Sequence, residues 1–260
     1  MSSNPHLELS EIARITAEAG RIAAARCDSA YETWEKAPGH PVCDIDLEVD
    51  AFLHEHLRAL DPEAGWLSEE TLDLSDRIER RRLWVIDPID GTRDYLRRRP
   101  GWCVSVALVE DRVPVLGVLS APQRGELWTA SRGEGSSRNG LPLRVSPRDR
   151  LEGARVPADH LPEPDRDLVA VAKPNSIALR IALIAAGEAD LVATLRWGFE
   201  WDIAAAALIA EEAGATVTGA LGQPLAFNTA SGEAFGVLAA TPGIHRAAVE
   251  RLRDRAMAIV

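Results

Sequence analysis

The sequence predicts an α/β protein, and three patterns carry that expectation. Two segments near the start repeat their apolar residues with helical spacing. A block of short apolar runs between residues 83 and 143 is punctuated by turn residues, as strands are. Beyond residue 168, strand-like and helix-like segments alternate to the end of the chain.

Residues 7–27 place Leu7, Ile12, Ile15, Ala19, Ile22 and Ala23 near one helical face. A looser stretch with Lys36, Pro38, Gly39 and Pro41 follows, and residues 44–60 form a second helix with the stripe Ile45, Val49, Phe52, Leu53 and Leu57. From Leu83 the period changes. Leu83-Trp84-Val85-Ile86 reads as a buried strand that stops at a loop beginning Asp87-Pro88, and residues 103–109 and 113–119 read as further strands. Leu127-Trp128-Thr129-Ala130 leads to a glycine-rich turn, and Asn139-Gly140 marks a tight hairpin. The Pro-, Asp- and Arg-rich stretch at 145–167 is the best domain boundary, dividing the chain into 1–145 and 146–260. Strands are then expected at 168–172, 190–194, 215–218 and 235–240, with helices at 176–187, 202–213 and 244–257.

With 260 residues the chain fills one large α/β domain or two modest ones, and 46% hydrophobic with 27% charged residues excludes disorder. The net charge of −11 disfavours nucleic acid polymers and anionic membranes as partners. An anionic small molecule can still bind if cations invert the local field. Cys27, Cys43 and Cys103 are odd in number and form no Cys-x-x-Cys pair, so they read as reduced thiols in a cytoplasmic protein. The start, Met1 to His6, lacks a signal-peptide profile, and no apolar run is long enough to span a bilayer.

Chemistry concentrates in Trp84-Val85-Ile86-Asp87-Pro88-Ile89-Asp90-Gly91-Thr92. An apolar strand runs into two carboxylates three residues apart, followed by a glycine and a hydroxyl. Carboxylates at a strand end can share a hard cation such as Mg²⁺, and a glycine opening a helical turn suits a phosphate. The competing reading is a capped turn stiffened by Pro88. Ser68-Glu69-Glu70-Thr71 reads equally as a ligand-bearing turn or a capped helix start, and Asp202, before an Ala-rich helix, reads as a ligand or an N-cap. His54-Glu55-His56 lacks the spacing of a zinc helix, Arg97-Arg98-Arg99 reads as anion guidance or surface charge, and no P-loop or serine elbow occurs.

The Asp87–Thr92 segment (DPIDGT), with Glu69-Glu70 upstream and Trp201-Asp202-Ile203-Ala204-Ala205 downstream, resembles the inositol monophosphatase family of metal-dependent, lithium-sensitive phosphatases. The resemblance covers nearly the whole chain. Asp44-Ile45-Asp46 lies where the family has an early aspartate, and Gly133-x-Gly135 with Asn139-Gly140 looks like its hairpin. It implies a layered αβαβα sandwich of the sugar-phosphatase type, with an α+β half (1–145) carrying most metal ligands and an α/β half (146–260) contributing Asp202. Glu69, Asp87 and the Ile89 carbonyl would hold one Mg²⁺, and Asp87, Asp90 and Asp202 a second, with two or three ions per site.

The resemblance further implies that the Gly91 and Thr92 amides receive the phosphate. Glu69 and Thr92, the latter oriented by Asp46, would activate the attacking water. Glu200 and Ser176 look like the bisphosphate nucleotidase branch, with Glu200 touching substrate. The candidate substrates are 3′(2′),5′-bisphosphate nucleotides, inositol monophosphate, histidinol phosphate and fructose 1,6-bisphosphate, and a homodimer is expected. One departure stands out: Cys43 replaces the threonine usual three residues before Asp46, and a thiol is the poorer hydrogen-bonding group. A dehalogenase-type phosphatase, which needs an aspartate two before Asp90, meets Pro88 there. A non-catalytic binding protein on the same fold is the alternative of another class. Asp90 is expected to matter to chemistry more than to folding, so Asp90→Asn should leave metal-free stability unchanged or raised, since clustered carboxylates repel one another without a cation.

Overall fold

The computed structural model describes residues 5–27, 32–37, 40–71 and 75–259. The readings of Met1–Asn4, Pro38 and Gly39 lie outside these residues. The N-terminal elements are helix α1 (Pro5–Arg26), the antiparallel pair β1 (Thr33–Ala37) and β2 (His40–Cys43), and helix α2 (Asp44–Leu60). Then come β3 (Gly65–Ser68), β4 (Arg82–Asp90), the short helix α3 (Thr92–Leu96), β5 (Cys103–Glu110), β6 (Val113–Ala121), β7 (Glu126–Ser131), β8 (Gly135–Arg138) and β9 (Leu141–Pro142). Strands β3 to β9 form one seven-stranded sheet in chain order, parallel only between β3 and β4.

The rest comprises the parallel pair β10 (Arg155–Pro157) and β11 (Val169–Val171), helix α4 (Ile177–Ala185), β12 (Leu191–Phe199), helix α5 (Ala204–Glu212), β13 (Thr216–Thr218), β14 (Glu233–Ala240) and helix α6 (Pro242–Met257). Strands β12, β14 and β13 make an antiparallel three-stranded sheet in that order. The layers follow from the apolar pattern. Along β4, Trp84 and Ile86 pack with α1 and α2, whereas Leu83 and Val85 pack with α4 and α5 on the other face. The smaller sheet and α6 complete an αβαβα stack, with Leu191 and Leu238 against Ile244, Ala248 and Leu252. One apolar cluster unites residues from either side of residue 145, such as Val85 and Ile181.

Several segments differ from the sequence expectation, among them the looser stretch, which pairs as β1 and β2. Strand β4 continues through Asp87 and Asp90 instead of ending before them, with a register shift between those residues where Pro88 offers no N–H. Strand β12 runs on to Phe199, so α5 begins only at Ala204. At the hairpin, Asn139 (φ 52°) and Gly140 (φ 77°) both adopt the left-handed conformation that tight two-residue turns demand.

The alanines of α5 let it lie directly on the sheet. A Cβ on Gly117 of β6 would stand 2.9 Å from the Ala205 carbonyl oxygen and 3.2 Å from its Cα. Because the obstacle is backbone, Gly117→Ala should displace α5 and cost about 1–3 kcal/mol. Urea unfolding checks this, the expected result being a lower midpoint with an unchanged slope. A wild-type midpoint would show that α5 is not seated as described.

Candidate metal centre

Strand register brings the first carboxylates together. In the parallel β3–β4 pair, Ser68 lies opposite Ile86, so Glu69 and Asp87 leave the same end of the sheet. The Glu69 N–H donates to the Ile86 carbonyl at 3.2 Å. The turn carrying Glu69 is pinned to α2, because the Ser68 hydroxyl donates to Asp50 at 2.5 Å and the Thr71 hydroxyl donates to the other Asp50 oxygen. No helix starts at Ser68, which settles one of the open alternatives.

At the end of β4, Asp87 accepts the Ile89 N–H at 3.0 Å, and the Ile89 carbonyl accepts the Thr92 hydroxyl at 3.0 Å. Gly91 has φ 95°, and a Cβ there would fall 2.8 Å from both the Gly101 carbonyl oxygen and the Ser176 nitrogen. Only glycine fits that approach. Thr92 then opens α3 beside the carboxylates.

Asp90 is more than a turn residue. Its Oδ2 accepts the Ser176 hydroxyl at 2.5 Å and the Ala178 N–H at 2.7 Å, while Oδ1 accepts the Ile177 N–H at 3.3 Å. It therefore caps α4 from another strand, and Ser176 completes the cap by accepting the Leu179 N–H at 2.9 Å. This corrects the expectation for Asp90→Asn: an amide would present donors to donors, so metal-free stability should fall. Asp202 does not cap α5, whose N-cap is Ile203. Its carboxylate accepts the Phe199 N–H at 3.3 Å and turns toward Asp87 and Asp90.

One oxygen from each of Asp87, Asp90 and Asp202 lies within 4.8 Å of the others. These three, with Glu69, Ile89, Gly91 and Thr92, line one cavity of about 510 Å³. Burial raises the Asp87 carboxyl far above the usual range, and the charges of Glu69, Asp90, Asp202 and Asp46 add to the rise. Asp90 is raised by burial against the opposing pull of Ser176 and Ala178. Asp202 is pushed up to about 7, by burial first and Asp90 second.

Asp190 provides the contrast. Burial also penalises it, but hydrogen bonds from Arg155 and Ser146 outweigh that and bring it down to about 2. A structural carboxylate gets cations from the protein. The cavity cluster is all hard oxygen and crowded, and Asp87, Asp90 and Asp202 form no ion pair among the described residues, which leaves the donor set that Mg²⁺ requires.

Two other expected residues are placed differently. Asp46 is buried at the start of α2, accepting the Cys43 N–H at 2.8 Å and the Cys43 thiol at 3.0 Å. Burial and the Asp46 charge drive the Cys43 thiol far up, so it stays protonated and does act as the donor that a threonine would be. The Thr92 hydroxyl donates to Ile89, not to Asp46. Glu200 is fully buried and does not line the cavity. Its oxygens accept Asn228 N–H at 2.6 Å, Thr229 N–H at 2.8 Å and the Thr229 hydroxyl at 2.6 Å.

Buried Arg77 holds the same loop through Asn228 Oδ1 at 2.7 Å and the Thr229 carbonyl at 2.8 Å. Glu200 is thus an anchor for the segment bearing Asp202, and a tryptophan–aspartate motif gave no hint of that. Sequence reasoning also missed Lys173, Arg180 and Arg196, which line the same cavity as the carboxylates. No local motif marks them; only the fold gathers them. His54 packs edge-on against Trp66 with ring centroids 4.8 Å apart, as a solvated helix face would allow.

A family model described as the inositol monophosphatase family matches residues 8–256. Among curated proteins, the Nus factor SuhB of Xylella fastidiosa is 36% identical over 67% of this chain and 67% of its own length. The 3′(2′),5′-bisphosphate nucleotidase CysQ of Aggregatibacter actinomycetemcomitans is 31% identical over 85% of this chain and 87% of its own. Among solved structures, an inositol monophosphatase from Anabaena superposes with a TM-score of 0.80 at 26% identity, covering 97% of each chain.

Crowded carboxylates make the metal-free protein sensitive to pH in a stated direction. Asp202 titrates near about 7 when folded, far above its ordinary 3.8. Between those values the folded state keeps a proton that the unfolded chain has released, so stability falls as pH rises through the window. Melting in EDTA should therefore drop between about pH 4 and pH 7, and Asp202→Asn should flatten the drop. Added Mg²⁺ should restore the loss at the upper pH. Stability that climbs with pH in EDTA would contradict this electrostatic picture.

Proposed function

This chain belongs to the inositol monophosphatase family and is a phosphomonoester hydrolase, and we propose that it uses Mg²⁺ held by its buried carboxylates to cleave a small phosphorylated metabolite. The observation that carries this is the convergence of Asp87, Asp90 and Asp202 within 4.8 Å, in a cavity shared with Glu69, Ile89, Gly91 and Thr92. Glu69, Asp87 and the Ile89 carbonyl would hold one ion, and Asp87, Asp90 and Asp202 another. Bound there, Mg²⁺ supplies charge neutralisation for phosphate and leaving group and makes water more acidic.

The chain's own groups do the rest. The Gly91 and Thr92 amides, at the start of α3, present positive dipole to the phosphate oxygens. Thr92, whose proton is committed to Ile89, keeps a lone pair to accept a hydrogen bond from the attacking water and so orients it. Glu69, half-buried and lining the cavity, would take that water's proton. Asp46 adds negative charge beside Asp87.

Glu200 and Ser176, the residues that pointed to the nucleotidase branch, are engaged in the anchoring loop and the α4 cap. Inositol monophosphate, 3′(2′),5′-bisphosphate nucleotides, histidinol phosphate and fructose 1,6-bisphosphate therefore all stand as candidates here. Cys27, Cys43 and Cys103 are buried thiols outside any disulfide, which supports a cytoplasmic enzyme. No helix among the described residues is long and apolar enough to cross a membrane. The charge of −11 supports a small-molecule substrate over a nucleic acid polymer, and a homodimer is part of the proposal.

Phosphate release from those four compounds with Mg²⁺ tests the reading. Activity should vanish in EDTA and fall with lithium, and with calcium, whose looser coordination misplaces the oxygens. Full turnover in EDTA would remove the metal from the mechanism. Asp90→Asn should lower kcat at least ~100-fold, about 2.7 kcal/mol of transition-state stabilisation. It should also lose on the order of 1 kcal/mol of stability through the α4 cap. Near-normal turnover with only the stability loss would make Asp90 a structural residue.

A further inference from the structure

Asp202 reaches the carboxylate cluster from a different part of the chain than Asp87 and Asp90, and the two parts have to be held in register. Asp87 and Asp90 lie at the end of β4 in the large sheet. Asp202 lies between β12 and α5, in a segment tied by Glu200 to the loop at 228–232. The Glu200 carboxylate accepts the N–H groups of Asn228 and Thr229 and the Thr229 hydroxyl, and its own N–H donates to the Gly232 carbonyl at 2.9 Å. Its carbonyl accepts the Ala204 N–H at 2.9 Å, so Asp202 sits in the turn that opens α5.

Arg77 fastens that loop to the large sheet. It is buried in the 3₁₀ turn Ser75–Glu79 and pressed against β3, the parallel neighbour of β4. A Cβ on Gly65 of β3 would stand 3.1 Å from the Arg77 Cβ and 3.3 Å from its Cα. The Arg77 guanidinium donates to Asn228 Oδ1 at 2.7 Å, to the Thr229 carbonyl at 2.8 Å and to the Ala230 carbonyl at 3.4 Å. Asn228 answers by donating its Nδ2 to the Arg77 carbonyl at 3.1 Å. Two residues 151 positions apart thus hold each other by side chain and backbone at once. The Arg77 charge also helps to keep Glu200 ionised against its burial. Neither Arg77 nor Glu200 lines the metal cavity.

We propose that Arg77 is a positioning residue for the carboxylate cluster: by clasping the 228–230 loop it fixes, through Glu200, where Asp202 stands relative to Asp87 and Asp90. This rests on the reading of those carboxylates as a metal centre and extends it to a residue outside the cavity. The three carboxylates converge within 4.8 Å although their charges repel one another. A bare cluster therefore pushes Asp202 outward, and the clasp resists. Without it, a cation has to draw the segment back as it binds, and affinity falls by what the pre-organised site had contributed. A guanidinium suits the task because its planar fork spans an amide oxygen and a carbonyl together.

Mn²⁺ takes the same oxygen ligands as Mg²⁺, and its paramagnetic resonance signal reports how much of it stays free. Titrating the whole protein with Mn²⁺ gives a dissociation constant, and melting in EDTA measures stability separately. Arg77→Gln should bind Mn²⁺ about 10-fold more weakly than wild type. Arg77→Lys keeps the charge but not the fork, and should fall between the two. Asn228→Ala spares the backbone N–H that Glu200 accepts and removes the amide that Arg77 clasps. It should reproduce the loss, and the two losses should not add in the double variant. Asn228→Ala also carries the test if Arg77→Gln does not fold.

Asp190→Asn is the comparison for general instability, since Asp190 is buried, paired with Arg148 and Arg155, and does not line the cavity. It should melt lower and bind Mn²⁺ as wild type does. Lower melting with unchanged Mn²⁺ affinity in Arg77→Gln and Asn228→Ala would make Arg77 a structural residue and overturn the proposal. An equal loss of affinity in Asp190→Asn would overturn it too. Wild type that leaves the Mn²⁺ signal undiminished would remove the metal centre itself, and this inference with it.

Discussion

The carboxylate of Asp90, clasped by the first turn of α4, is the contact on which the rest of the molecule depends. It joins the last residue of β4 to a helix start 86 residues away in sequence. The junction satisfies N–H groups that a helix otherwise leaves orphaned, and the helix dipole offsets part of the cost of burying an anion. Gly91, Gly101 and Ser176 have to meet backbone to backbone for it to form, which is why no side chain fits at Gly91. The same carboxylate must keep an oxygen within reach of Asp87 and Asp202. Scaffold and carboxylate cluster therefore share one residue.

Much of this was legible in the sequence because it was local. Helix α2 begins and ends at the residues its apolar stripe marked, and Asn139-Gly140 formed its turn. The strand-to-glycine segment from Trp84 to Thr92 declared carboxylates, a tight approach and a hydroxyl in a single run. What was hidden depended on partners far along the chain. Glu200 looked like a substrate contact only because its neighbours are Trp201 and Asp202; Asn228 and Thr229, which take its oxygens, carry no such label. The run of β4 through Asp87 and Asp90 was equally invisible, since pairing with β5 decides it, not propensity. Cys43 illustrates the reverse case. Residue type suggested a weak point, and the buried geometry shows a thiol held against Asp46.

Charge is distributed unevenly for a reason. A net −11 would repel a phosphorylated metabolite at long range. The cavity would invert that sign in two ways, by gathering carboxylates that could take up cations and by placing beside them Arg180 and Arg196, which form no ion pair among the described residues. Elsewhere the protein pairs its charges, as in Arg251 with Asp167 and Arg255 with Asp165.

The dispersal of Glu69, Asp87, Asp90 and Asp202 along the chain also has a consequence for biosynthesis. As the polypeptide emerges, the acidic residues of the large sheet are made first, with α4 and the Asp202 segment still to come. Until those dock, Asp90 lacks the donors that hold it, and the nascent sheet presents repelling carboxylates to water. Contacts this remote in sequence form late. Cation capture should accordingly be among the last events of maturation, and a ribosome-bound chain halted before residue 202 would be inert however well its sheet had assembled. The centre reports that the whole chain has arrived.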